Sequence, residues 1–206
     1  MVKLFGRKTT RDRSMSSVNI VVGLSGVGKS TVLEEAMLLA DEEYEVINYG
    51  DRMLETAKQQ GLVDTRDEMK DIGVEKYKEI QKDAAESIVD DAEEAEDGNV
   101  IVDTHAAIKT PYGYIPGLPK WTVENLDPEK IIILDASAEE LYRRSQKDED
   151  RDREHDDVED IEEYRQVARE MASAGSVLTG AYLKVIENKK GKAQQAARDL
   201  IDTLNA

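Results

Sequence analysis

Gly23-Leu24-Ser25-Gly26-Val27-Gly28-Lys29-Ser30 places four residues between two glycines and follows them with a lysine and a hydroxyl. This is the Walker A pattern of a phosphate-binding loop. Glycines let the backbone wrap with its N–H groups pointing inward, and the helix that opens next adds partial positive charge at its N-terminus. In that arrangement Gly23, Leu24, Ser25, Gly26, Val27 and Gly28 surround the phosphates of a nucleoside triphosphate. Lys29 reaches the β- and γ-phosphates, and the Ser30 hydroxyl holds Mg²⁺. The pattern carries meaning only between a strand and a helix. Val18-Asn19-Ile20-Val21-Val22 before it and Thr31 to Leu39 after it supply both.

Further chemistry lies downstream. Asn99 to Val102 is apolar after its first residue and ends in Asp103-Thr104-His105. An Asp at the C-terminal tip of a strand, following a phosphate loop, fits the second acidic element of such proteins, holding Mg²⁺ directly or through water. His105 either hydrogen-bonds within its own loop or touches substrate. Arg143, Arg144, Arg151 and Arg153 could stabilise the charge that spreads over a transferring phosphoryl group, since planar guanidinium matches those oxygens. The run 147–160 that carries two of them is almost wholly charged. It reads either as a solvated surface loop or as a segment closing over the nucleotide.

The elements that must position these residues alternate strand and helix, which predicts a parallel sheet covered on both faces. Strands are expected at Val18–Val22, Tyr44–Asn48, Val100–Asp103, Ile131–Asp135 and Tyr182–Glu187. Helices are expected near 29–40, 51–60, 74–96, 138–147, 158–175 and 193–204. Ser137 with Glu140 three residues on is a capping box. Gly98-Asn99 is expected to close the long acidic helix. Residues 104–120 hold three of the four prolines and read as a long functional loop that offers an acceptor pocket.

The chain of 206 residues suits one domain, spanning 15–206. Its 45 acidic and 28 basic residues give a net charge of −17. Such acidity excludes a nucleic-acid partner, because phosphate backbones are bound by basic surfaces. It also fits a cytoplasmic protein working in high salt, where self-repulsion is screened. Cysteine is absent, so disulfides and thiolate metal sites are excluded. No apolar run reaches membrane-spanning length, and residues 1–14 are basic without an apolar core, so no membrane or secretory role is expected. That tail is expected to be disordered, with Met15 as an alternative start.

The block Val102-Asp103-Thr104-His105 followed by Ile108-Lys109-Thr110-Pro111-Tyr112-Gly113-Tyr114-Ile115-Pro116-Gly117-Leu118-Pro119 resembles the archaeal adenylate kinases. So do Asn48-Tyr49-Gly50, the stretch Leu62 to Met69, Val177 to Ala181 and Glu187-Asn188-Lys189, over about residues 17–206. The resemblance implies an α/β fold of the P-loop nucleoside monophosphate kinase type, with a five-stranded parallel sheet flanked by helices and a short lid. It implies reversible transfer between ATP and AMP, giving two ADP, with Mg²⁺ as cofactor and adenine-nucleotide homeostasis as the role. It assigns the donor phosphates to Gly26, Gly28, Lys29, Ser30 and Thr31, and the AMP side to helices of about 50–96 and to Gly50, Arg66, His105, Thr110, Gly113 and Gly117. The four arginines fall in or beside a lid of about 143–157, and Asn188 lies near the ATP adenine. A homo-oligomer, a trimer, is implied, and with the acidity a haloarchaeal member. The lid here is more acidic and slightly longer than the family pattern, so either Arg151 or Arg153 reaches phosphate. Other readings stay open on the residues alone: a CMP or UMP kinase, an ATP-hydrolysing switch, or a module that binds nucleotide without turnover.

Overall fold

All five expected apolar runs become strands of one parallel sheet in the computed structural model, which describes residues 17–94, 99–110, 112–146 and 157–206. In chain order the elements are β1 (Ser17–Val22), α1 (Lys29–Leu39), β2 (Glu45–Asn48), α2 (Tyr49–Gln59) and, past a 3₁₀ turn at Asp67–Asp71, α3 (Val74–Glu94). Then follow β3 (Asn99–Thr104), β4 (Ala107–Thr110), β5 (Gly113–Pro116), α4 (Lys120–Leu126), β6 (Lys130–Asp135), α5 (Ala138–Ser145), α6 (Val158–Thr179), β7 (Tyr182–Glu187) and α7 (Ala193–Leu204).

The sheet runs β2-β3-β1-β6-β7, so β1 lies at the centre. The chain leaves β1 in one direction to reach β2 and later steps past β1 to β6. Right-handed crossovers therefore put α1 on one face and α3, α4 and α6 on the other. The packing agrees: α1 lies against α7, α3 against α4, and α4 against α6. Ile20, Val21, Ile101, Val102, Ile131 and Ile132 are fully buried between the two layers. Such near-continuous β-branched runs are what a sheet covered on both faces requires. Gly175 lets α6 lie close, since a Cβ there would stand 3.3 Å from Ile131 and 3.5 Å from Val123.

Residues 104–120 are not a plain loop. They form an antiparallel hairpin, β4 with β5, in the register Ala107↔Pro116 to Thr110↔Gly113, and lead into α4. Thr110 Oγ1 donates to Gly113 O at 2.8 Å and accepts from Tyr112 N at 3.2 Å, and Gly113 takes a φ of 117°. Of the punctuation that reads as irregular, Gly113 serves the hairpin tip, Pro116 ends β5 and Pro119 is the N-cap of α4, while Pro111 lies outside the described residues. Asn99 opens β3 rather than closing a helix, and Gly98 lies outside the described residues. The 1–14 tail and residues 147–156 of the expected lid also lie outside them. At the lid's edges, 143–145 belong to α5 and 158 onward to α6.

Tyr49 ties α2 to the rest. It is buried at the start of α2, and its hydroxyl donates to Gln81 O at 2.6 Å in α3 and meets Thr122 Oγ1 at 3.1 Å in α4. Burial pushes its phenol well above the ordinary tyrosine value. Tyr49→Phe removes the hydroxyl while keeping the ring, and is expected to cost about 1–2 kcal/mol in urea denaturation through the unpaired Thr122 hydroxyl. An unchanged midpoint would show that neither bond contributes.

Candidate active site

The C-terminal ends of β1, β3 and β6 lie side by side, and the crevice there is where the strand order reverses, the usual ligand position in an open parallel sheet. The loop from Gly23 to Gly28 leaves β1 at this point. Gly26 and Gly28 adopt φ of 80° and 85°, a conformation costly for any residue with a Cβ. Leu24 and Val27 are buried in the core, so what they offer a ligand is backbone. Lys29, Ser30 and Thr31 form the first turn of α1, with the last two exposed. No acidic residue occupies that turn, whereas α2, α3, α5 and α6 all carry one or two in theirs. The α1 N-terminus is thus left clear for an external anion.

Lys29 Nζ forms an ion pair with Asp103 Oδ1 at the tip of β3. Burial pushes the Lys29 ammonium down to about 8, which still leaves it protonated at neutral pH. The second Asp103 oxygen accepts from Asn48 Nδ2 at 3.2 Å. Among the described residues, no group of three or more His, Cys, Asp and Glu side chains stands ready to hold a metal. Mg²⁺ needs no such cage, since it is held by one or two carboxylates plus substrate phosphates and water. One carboxylate, Asp103, and one hydroxyl, Ser30, suit that hard cation.

Three of the expected site residues hold the outside of the loop. Arg144 Nη1 donates to Val27 O at 2.9 Å and Gly26 O at 3.3 Å, and Nη2 donates to Asn188 O at 3.1 Å. Asn188 Nδ2 donates to Val27 O at 2.8 Å. His105 Nδ1 lies 2.8 Å from Gly23 O, so that nitrogen carries the proton. A loop whose N–H groups turn inward presents carbonyls outward, and these donors satisfy them. His105, assigned above to the AMP side, sits against the donor loop. Asn188 is buried, with its Oδ1 unpartnered.

Of the other acceptor-side residues, Gly50 and Arg66 come together at the start of α2. Arg66 pairs with Asp51, and a Cβ on Gly50 would stand 3.4 Å from Arg66 Nη1. Thr110 and Gly113 build the hairpin tip. Gly117 closes its base, where a Cβ would collide with the His105 carbonyl at 2.0 Å. Arg143 is exposed and pairs with Glu140 on its own helix. Arg151 and Arg153 lie outside the described residues.

Sequence reasoning missed a buried charge cluster at the next strand end. Asp135, at the tip of β6, accepts from Arg165 Nε at 3.0 Å and Nη2 at 2.8 Å, and also pairs with Arg169. Its backbone carbonyl accepts from Asn188 N at 2.7 Å, which joins the cluster to the loop's outer support. The signal that marks Asp103, an Asp ending an apolar strand, marks Asp135 equally.

The chain matches the AAA domain family over residues 22–162. It is 45% identical to adenylate kinase of Methanopyrus kandleri over 193 residues, spanning 93% of this chain and all of that one. It is 40% identical to adenylate kinase of Methanothermobacter thermautotrophicus, spanning 91% of this chain and 98% of that one. Among solved structures it superposes on shikimate kinase from Bacteroides thetaiotaomicron with a TM-score of 0.56 at 12% identity, spanning 92% and 99% of the two chains, which is a likeness of fold.

Burial opposes ionisation of Asp135, but the Arg165 and Arg169 guanidiniums outweigh it and hold the carboxyl below its ordinary value. The stability this supplies is therefore present above the unfolded carboxyl value near 4, and is lost as pH falls through the lower folded value. Asp135→Asn is expected to lower stability by about 2 kcal/mol at pH 7, because it strands two guanidiniums. The gap to the unaltered protein should close below about pH 4. Denaturation midpoints across pH 3–7 check this, and a gap that stays constant would refute it.

Proposed function

The chain belongs to the adenylate kinase family, and from that premise we propose which of its residues carry the phosphoryl transfer between ATP and AMP. The reaction moves the terminal phosphoryl group of ATP from its bridging oxygen to a phosphate oxygen of AMP, giving two ADP, and runs in both directions. The observation that carries the assignment is the near-full-length match to adenylate kinases together with an intact phosphate loop whose lysine stands on Asp103.

The loop backbone from Gly23 to Gly28, with Lys29, Ser30 and Thr31, binds the ATP phosphates. Asn188, whose buried Oδ1 lacks a donor, has the chemistry to accept from the adenine amino group. Gly50 and Arg66, at the α2 N-terminus, and the hairpin of Thr110, Gly113 and Gly117 shape the AMP side. Ser30 and Asp103 would hold Mg²⁺, which supplies charge neutralisation at the phosphates. The attacking AMP phosphate is already an anion, so positioning and charge stabilisation suffice and no strong general base is needed. Lys29 meets the developing charge, and Arg143, Arg144, Arg151 and Arg153 are proposed to contribute around it. Arg144 does so by fixing the loop it donates to.

We also read the protein as a haloarchaeal, cytoplasmic enzyme, on the strength of its net charge of −17. Among the described residues no helix is long and apolar enough to cross a membrane. A homotrimer fits the exposed apolar side chains Val177, Leu178, Tyr182, Leu183 and Val185, gathered along the outer strand β7 and the end of α6. Sedimentation equilibrium returning a monomer in molar KCl would remove it.

ADP formation from ATP should require AMP and Mg²⁺, with CMP, UMP, GMP and no acceptor giving little, and should stop with EDTA. Turnover with another acceptor would void the AMP assignment, and phosphate release without acceptor would indicate a hydrolase. In the same assay, run in low salt and molar KCl, Lys29→Ala is expected to lower the rate by on the order of 10²–10³ with folding intact. Near-normal activity would remove Lys29 from the reaction.

A further inference from the structure

We infer that Asn48 is a positioning residue that couples the donor-phosphate site to the acceptor-side helix, an inference that rests on the adenylate kinase reading. Asn48 ends β2 and caps α2. Its Oδ1 accepts from Asp51 N at 3.1 Å, and its Nδ2 donates to Asp103 Oδ2 at 3.2 Å. The strand register sets it directly beside Asp103. The other Asp103 oxygen holds Lys29. A single amide thus has one end on the helix that carries Gly50 and Asp51, and the other on the carboxylate that partners the phosphate-loop lysine.

The residue type is informative. Ser, Thr, Asp and Asn all cap helices well. Asp has no donor for the carboxylate and would set a second negative charge beside Asp103, while the single hydroxyl of Ser or Thr sits one bond closer to the backbone than the amide nitrogen that meets Asp103. Asn alone serves the cap and the carboxylate together. Asp51 in turn pairs with Arg66, so the chain of contacts runs Lys29, Asp103, Asn48, the α2 N-terminus, Arg66. When donor phosphate engages Lys29, Asp103 loses part of its hold on one oxygen, and the amide on the other passes the new carboxylate orientation to α2. By linkage, acceptor binding acts back on the donor site to the same extent.

A residue that only caps α2 would affect stability and leave this coupling alone. The test is AMP affinity by calorimetry, with and without a non-hydrolysable ATP analogue and Mg²⁺. The unaltered protein is expected to bind AMP on the order of 5-fold or more tightly when the analogue is present. Asn48→Ser keeps the cap, so AMP alone and analogue alone should bind within about threefold of normal, while the coupling ratio falls toward one. Asn48→Asp also keeps the cap, and should abolish the coupling if the serine variant folds poorly. A normal ratio in a folded variant, or a ratio of one in the unaltered protein, would overturn the inference. Failure of the unaltered protein to bind either nucleotide would instead overturn the family reading beneath it.

Discussion

Lys29 and Asp103 meet beneath the phosphate loop although 74 residues separate them in the chain, and much of the sheet's order follows from that contact. Withdrawing an ammonium and a carboxylate from water costs more than a salt bridge usually returns, so the pair is poorly explained as a device for stability. It is better explained as an ammonium kept charged and aimed in the absence of phosphate. For the pair to form, β3 must lie beside β1, and for the loop to be held from its other side, β6 must as well. The order β2-β3-β1-β6-β7 meets both demands, with Asp103 at one neighbouring strand tip and Asp135 at the other.

The loop itself poses an opposite problem. Its usefulness depends on N–H groups left free for an anion, yet a backbone so wrapped exposes carbonyls that need donors. The structure answers with side chains from three directions: His105 after β3, Arg144 on α5 and Asn188 after β7. Asp135 then fixes Asn188 through its backbone and α6 through its carboxylate. The loop is therefore shaped from outside by groups that do not compete with its ligand.

How far this was legible in the sequence varies with the range of the interaction. The phosphate loop, its strand and its helix are contiguous, and eight residues sufficed. The three central strands, β1, β3 and β6, were visible as β-branched runs because both their faces are buried, whereas the edge strands β2 and β7, largely exposed, showed only short apolar stretches. The hairpin at 107–116 was not, since four-residue strands with Tyr, Lys and Thr show little periodicity, and three prolines read as breaks. Arg165 and Arg169 were hidden for another reason. Amid Glu162, Glu163 and Glu170 they look like surface pairs at helical spacing, and Arg165 does pair with Glu162. Only the meeting of α6 with β6 shows that both also serve Asp135. For His105, nothing local could show that Gly23, 82 residues away, is a partner.

The protein's charge sharpens the same point. A chain of net charge −17 repels nucleotide phosphates at long range, and salt at molar strength shortens that reach to a few ångströms. What remains is the local field, and there the distribution is selective. Acids fill the first turns of α2, α3, α5 and α6, where they stabilise their own helices, and are absent from the first turns of α1, α4 and α7. Among the described residues the carboxylate that pairs with the loop lysine, Asp103, is also one suited to a divalent cation. Acidity and anion binding are thus reconciled by position: the surface carries the charge, and the crevice withholds it from the helix terminus that follows the phosphate loop.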